Sequence, residues 1–196
     1  MDKPIQFDQE RIRLTREYMH KHYGIDQNDI TIKPQAIVLH YTAINSFIST
    51  WNYFNRTRIE AERPELQHES ELNVSAQFLV DRDGTIYRLM PENWMARHCI
   101  GLNHVSIGVE NVGDDKDFPL TGAQVDANAA LVRHLAHRFP IVYLLGHLEY
   151  RRMEKTPLFF ESVGGYRTAK SDPGEEFMRR VRAKLTDLDL KAPPNP

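Results

Sequence analysis

The chain has 196 residues, with 25 basic against 27 acidic side chains, 41% hydrophobic and 27% charged residues, and a formal charge of −2. That balance suits one soluble folded domain, excludes global disorder, collagen and coiled coil, and lacks the basic excess that nucleic acid as main partner would require. One cysteine, Cys99, excludes an internal disulfide and a cysteine-rich zinc module, whereas nine histidines are an unusual supply of metal ligands and proton carriers.

Residues 1–30 read as a helical extension that packs on a core built later: Arg11, Leu14, Tyr18 and His22 fall at helical spacing, and Gly24 follows as a cap. Residues 36–40 are apolar and rich in branched side chains, the pattern of a buried strand ending at His40. A helical stretch over 46–55 carries Phe47, Trp51 and Phe54, whose spacing suits core packing better than sugar stacking. Residues 60–72 are charged, include Pro64 and show no period, so a surface loop or insertion is expected. Asp83-Gly84 between two strand-like runs, 75–81 and 85–90, predicts a hairpin.

Residues 105–112 predict a strand in which Gly108 marks a close backbone approach. Thr121 opens a helix with Val125, Ala129, Val132, Ala136 and Phe139 on one stripe, stopped by Pro140. Residues 142–147 predict a second buried strand ending in histidine, and 151–169, with Gly164 and Gly165, a loop on the functional face. A last helix after Asp172-Pro173 carries Phe177, Val181, Leu185 and Leu188, and proline-rich residues 189–196 are expected to form a flexible tail. The pattern predicts an α/β single domain over residues 31–188, a central mixed β-sheet flanked by helices, with strand ends converging on one edge where clefts form.

Two strands that each end in histidine allow His40 and His147 to meet at such an edge. A catalytic zinc requires three protein ligands and one open position, but ligands about a hundred residues apart leave no local signature, and a single histidine at a strand end is more often a hydrogen-bonded surface or core residue than a ligand. Asp172, with Pro173 next and Glu175 three residues on, has a capping pattern; spacing alone favours the cap, although a second carboxylate oxygen is free to bind a metal. Glu110 within the apolar run 106–110 is either a partner for a basic group or an acid–base group tuned by its surroundings. His134 and His137 read as a solvated helix face, Cys99 as a small buried hydrophobe, and His20, His22, His68 and His104 have no constellation around them.

Five segments occur in order: Ile37-Val38-Leu39-His40-Tyr41-Thr42-Ala43, Val74-Ser75-Ala76-Gln77-Phe78-Leu79-Val80-Asp81-Arg82-Asp83-Gly84-Thr85-Ile86-Tyr87, Ser106-Ile107-Gly108-Val109-Glu110, Gly146-His147 and Lys170-Ser171-Asp172-Pro173-Gly174. Together they resemble the zinc-dependent N-acetylmuramoyl-L-alanine amidases, a family that includes phage lysozyme-like amidases and the peptidoglycan recognition proteins, over residues 35–187. The resemblance implies one catalytic Zn²⁺ held by His40, His147 and Asp172, with Glu110 and Lys170 as catalytic residues, and cleavage of the amide between the lactyl group of N-acetylmuramic acid and L-alanine. With Cys99 outside the motif positions, it is to the His-His-Asp members and not to those with a third-ligand cysteine.

Gln77 stands where many relatives carry histidine or an aromatic residue, and Ala96-Arg97-His98-Cys99-Ile100 corresponds to a segment that often reads Ala-Trp-His-Ala-Gly. By that correspondence Gln77, Arg97 and His98 are expected against the substrate. The implied partner is peptidoglycan or a muropeptide fragment, met by a monomer. A non-catalytic fragment-binding module is the alternative, disfavoured by the retained Asp172, Lys170 and Glu110. No apolar run approaches the roughly 18 residues of a membrane span. The stretch Lys3-Pro4-Ile5-Gln6-Phe7 reads as the start of a mature chain and points to export to the periplasm or envelope, with a cytoplasmic protein as the alternative.

Overall fold

The computed structural model describes residues 1–195. Its centre is a parallel trio: β1 (Ala36–Tyr41) lies between β4 (Ser106–Asn111) and β5 (Tyr143–Gly146). β2 (Phe78–Val80) extends the sheet in parallel beside β4, and β3 (Ile86–Arg88) closes the edge antiparallel to β2, giving the order β3-β2-β4-β1-β5. The central strands are near-continuous apolar runs because both faces are covered. On one face Ile37, Leu39, Ile107 and Val109 pack against α4 (Gly122–Arg138) and α5 (Glu175–Ala183). On the other, Ala36 and Val38 pack against α1 (Gln9–Tyr23), whose Leu14, Tyr18, Met19 and Tyr23 complete that core. No helix among the described residues is long and apolar enough to cross a membrane.

Local chemistry sets the helix ends as expected. Asp8 accepts a hydrogen bond from the Arg11 amide at the start of α1, and Gly24, at φ 63°, closes it in the left-handed region that glycine enters freely. Thr121 and Gln124 form a reciprocal capping box at α4. Ser46 caps α2 (Phe47–Asn55), where Phe54 is buried and Phe47 and Trp51 are partly so. The Asp83-Gly84 hairpin is present, with Gly84 at φ 87°.

Four expectations change. Residues 60–72 contain a short helix, α3 (Pro64–Gln67), and its buried Leu66, with Leu72, joins the α1-side core, so this segment is a wall rather than a surface loop. Only those two residues of the segment are buried, too few to make a period. β5 ends at Gly146, and His147 opens a 3-10 helix, His147–Lys155, that takes up the start of the expected loop 151–169. The last helix ends at Ala183, so Leu185 packs into the core from the turn beyond it. In the expected tail over 189–196, Lys191 exchanges backbone hydrogen bonds with Val142 and Leu144, and its final residue lies outside the described residues.

Candidate metal centre

The parallel register assembles the site. Leu39 pairs with Gly146 and His40 with Glu110, so His147, His40 and Glu110 stand side by side at the carboxy-terminal ends of β5, β1 and β4. Asp172 arrives from the segment before α5. Its backbone carbonyl accepts from the Leu148 amide, and Oδ2 lies 3.1 Å from Nδ1 of both His40 and His147. The two Nδ1 atoms are 3.0 Å apart. The capping role expected for Asp172 is therefore overturned: α5 begins after Gly174 with no side-chain cap.

The donor set fits a small divalent cation. Bonds of about 2.0–2.1 Å in a tetrahedron place neighbouring ligands about 3.3 Å apart. The triangle here has sides of 3.0, 3.1 and 3.1 Å. All three residues are buried, and a nearly equilateral cluster of lone-pair donors out of water is unfavourable without positive charge at its centre. Burial works against a charge on Asp172, but the contacts with His147 and His40 outweigh it and hold the carboxyl well below the usual range. Burial first, and His40 next, push His147 down to about 4, so near neutral pH it is an uncharged imidazole with a lone pair to offer.

The cluster opens into a cavity of about 420 Å³ lined on the far side by Tyr53, Glu60, Arg63 and Leu66 of α2 and the 60–72 wall. Lys170 and Glu110 line it beside the triangle. Burial raises Glu110 to about 7 against the opposing pull of His40, and its Oε2 has no hydrogen-bond partner. A carboxylate with a free oxygen and a proton affinity near neutrality is suited to proton transfer.

Of the three expected substrate contacts, Gln77 is corrected outright. It is fully buried, its amide donating to the Trp94 carbonyl and accepting from the Gly108 amide, so it ties the Trp94 loop to β4 and does not line the cavity. Arg97 lines the cavity, but its guanidinium is occupied by the carbonyls of Leu66, Ser70 and Leu72 and by the Tyr166 hydroxyl. It anchors the 60–72 wall. Arg97→Met is accordingly expected to lower unfolding free energy by about 2–4 kcal/mol, through several buried acceptors losing a charged donor, as read by urea denaturation; a loss under about 0.5 kcal/mol would contradict that anchoring role. His98 also borders the cavity, yet both ring nitrogens have protein partners, His40 Nε2 at 3.1 Å and Ser106 Oγ at 3.3 Å. Sequence reading also missed Asn103, whose Oδ1 accepts from the His98 and Cys99 amides and pins their loop; a lone asparagine among loop residues carries no visible signal.

The domain shares its mixed-sheet fold with cell-wall amidases and peptidoglycan recognition proteins. N-acetylmuramoyl-L-alanine amidase LysC from Clostridium intestinale URNW is 24% identical, with 85% of this chain and 96% of that one covered at a TM-score of 0.53. An AmpD crystal structure is 25% identical over 78% of this chain and 84% of that one, at a TM-score of 0.52. Bumblebee PGRP-SA matches in fold at 17% identity, 88% and 93% coverage and a TM-score of 0.54. Among curated proteins no significant match is found. The family profile described as N-acetylmuramoyl-L-alanine amidase matches residues 30–175, and the chain belongs to that family. Membership supports a peptidoglycan amidase.

Proposed function

We propose that the protein is a zinc-dependent N-acetylmuramoyl-L-alanine amidase, acting on the amide between the lactyl group of N-acetylmuramic acid and L-alanine in peptidoglycan or muropeptides. The observation that carries this reading is the buried triangle of His40, His147 and Asp172 beside Glu110 in one cavity. A complete ligand set next to an acid–base group favours the enzyme over a fragment-binding module with the same fold.

His40, His147 and Asp172 would hold the ion. Two neutral imidazoles and one carboxylate leave Zn²⁺ with net positive charge, which polarises a carbonyl and acidifies water. Glu110 takes a proton from the attacking water and returns it to the departing amine, which leaves poorly unless protonated. Its pairing with His40 in the register supports that role by holding it next to the metal ligands. Lys170 supplies a second positive charge on the cavity wall for the oxygen that becomes negative as the tetrahedral intermediate forms.

Removing zinc with a chelator is expected to abolish release of stem peptide from a purified disaccharide muropeptide, and stoichiometric zinc to restore it. Full activity after chelation, at undetectable metal content, would refute the reading. Lys170→Ala is expected to lower kcat by about 10²–10³ with zinc content unchanged, the usual cost of one charge-stabilising donor; wild-type kcat in that variant would remove Lys170 from the mechanism.

A further inference from the structure

Ser106, Gly108 and Glu110 alternate along β4 and so share one face of the sheet. Glu110 faces the cavity, and the two residues before it form a seat for the His98 ring. A Cβ built on Gly108 would lie 2.7 Å from His98 Cγ, so the imidazole occupies space that only glycine leaves open. Ser106 supports the far side of the same ring.

The hydrogen bonds running through this seat have one consistent direction. The Ser106 hydroxyl lies 2.7 Å from the Leu102 carbonyl oxygen, which can only accept, so its single proton points there. Ser106 Oγ must then accept from His98 Nε2–H at 3.3 Å. A neutral His98 protonated at Nε2 has a bare Nδ1, which accepts from His40 Nε2–H at 3.1 Å. The proton of His40 is thereby held at Nε2, and its Nδ1 is left as a lone pair facing His147 and Asp172. His147 has no equivalent support, since its Nε2 is buried without a partner.

We propose that His98 is a positioning residue: anchored by Ser106 and seated over Gly108, it fixes the tautomer of His40 and presents His40 Nδ1 as an unprotonated donor. The proposal rests on reading His40, His147 and Asp172 as metal ligands and deepens it. Without His98, His40 is free to carry its proton at Nδ1 and donate it to the Asp172 carboxylate, so that zinc must displace a proton and break that bond. Outer-shell partners of ligating histidines act in this way, and their loss typically costs about 10–100-fold in metal affinity.

The test compares wild type with His98→Leu, which removes the acceptor, and His98→Asn, whose Oδ1 can replace Nδ1. Zinc dissociation constants come from competition with a chromophoric chelator, and the His40 tautomer from long-range ¹⁵N–¹H NMR correlations on metal-free protein. Expected are a 10–100-fold weaker constant for His98→Leu and one within about threefold of wild type for His98→Asn. Metal-free wild type is expected to carry the His40 proton at Nε2, and His98→Leu to shift it toward Nδ1. Equal zinc affinity in wild type and His98→Leu, or His40 protonated at Nδ1 in wild type, would overturn the proposal alone. Wild-type protein that takes up no zinc would overturn the metal-centre reading, and this proposal with it.

Discussion

Asp172→Ala is expected to lose bound zinc and, with it, all measurable amide hydrolysis. The substitution removes one corner of the donor triangle and the one anionic ligand, leaving only His40 and His147, with Nδ1 atoms 3.0 Å apart. The loss in affinity should exceed the roughly 10–100-fold typical of an outer partner, because a direct ligand is gone. Metal analysis after dialysis checks this directly. A variant that keeps stoichiometric zinc at wild-type affinity would show that Asp172 is not a ligand.

Glu110→Gln separates chemistry from metal binding. Turnover is expected to fall by about 10²–10⁴, the usual contribution of a general acid–base group, with zinc content near normal. The same substitution should stabilise the metal-free fold at higher pH. Burial raises the Glu110 carboxyl from the ordinary 4.5 to about 7, so between those values the native state holds a proton that the unfolded chain has released. Stability must therefore fall as pH rises through that window, by up to about 3 kcal/mol at about pH 8. Glutamine cannot ionise and escapes the penalty. Thermal unfolding should show Glu110→Gln more stable than wild type at about pH 8 by about 1–3 kcal/mol and nearly equal to it at about pH 4. The active form requires the ionised carboxylate, and a bound cation lowers the pKa further, so the acid limb of kcat/KM should lie at or below about pH 7. Retained turnover in Glu110→Gln, or an acid limb well above pH 7, would exclude it as the base.

The parts of this site visible in the chain were those carried by strands. The apolar runs ending at His40 and His147, and glycine within the run ending at Glu110, each have a period or an interruption that a strand imposes. Even so, the adjacency of His40 and Glu110 depends on register between strands about seventy residues apart, which no local pattern encodes. Asp172 illustrates the opposite failure. Its neighbours satisfy the local rule for a helix cap, while hydrogen bonds to two imidazoles draw the carboxylate away, and the cap position falls two residues later, at Gly174, with α5 starting at Glu175.

Correspondence with relatives placed Gln77, Arg97 and His98 against the substrate. Arg97 and His98 do border the cavity, whereas Gln77 is drawn away by a backbone carbonyl and a strand amide that are distant in sequence. The charged stretch 60–72 concealed its role similarly, since Leu66 and Leu72 inside a polar segment suffice to dock it when Arg97 satisfies its carbonyls. Gly108 was the most informative single residue. Its reading as a close backbone approach is met by the ring of His98, and that contact links the metal centre to β4.

The most direct test of the central claim is to digest a purified disaccharide muropeptide with the zinc-loaded protein in ¹⁸O-labelled water and to weigh both products by mass spectrometry. Expected are one ¹⁸O in the lactyl carboxylate of the muramic acid and an unlabelled peptide beginning with a free L-alanine amine. An intact substrate, or label placed by cleavage at a glycosidic or peptide bond instead, would contradict it.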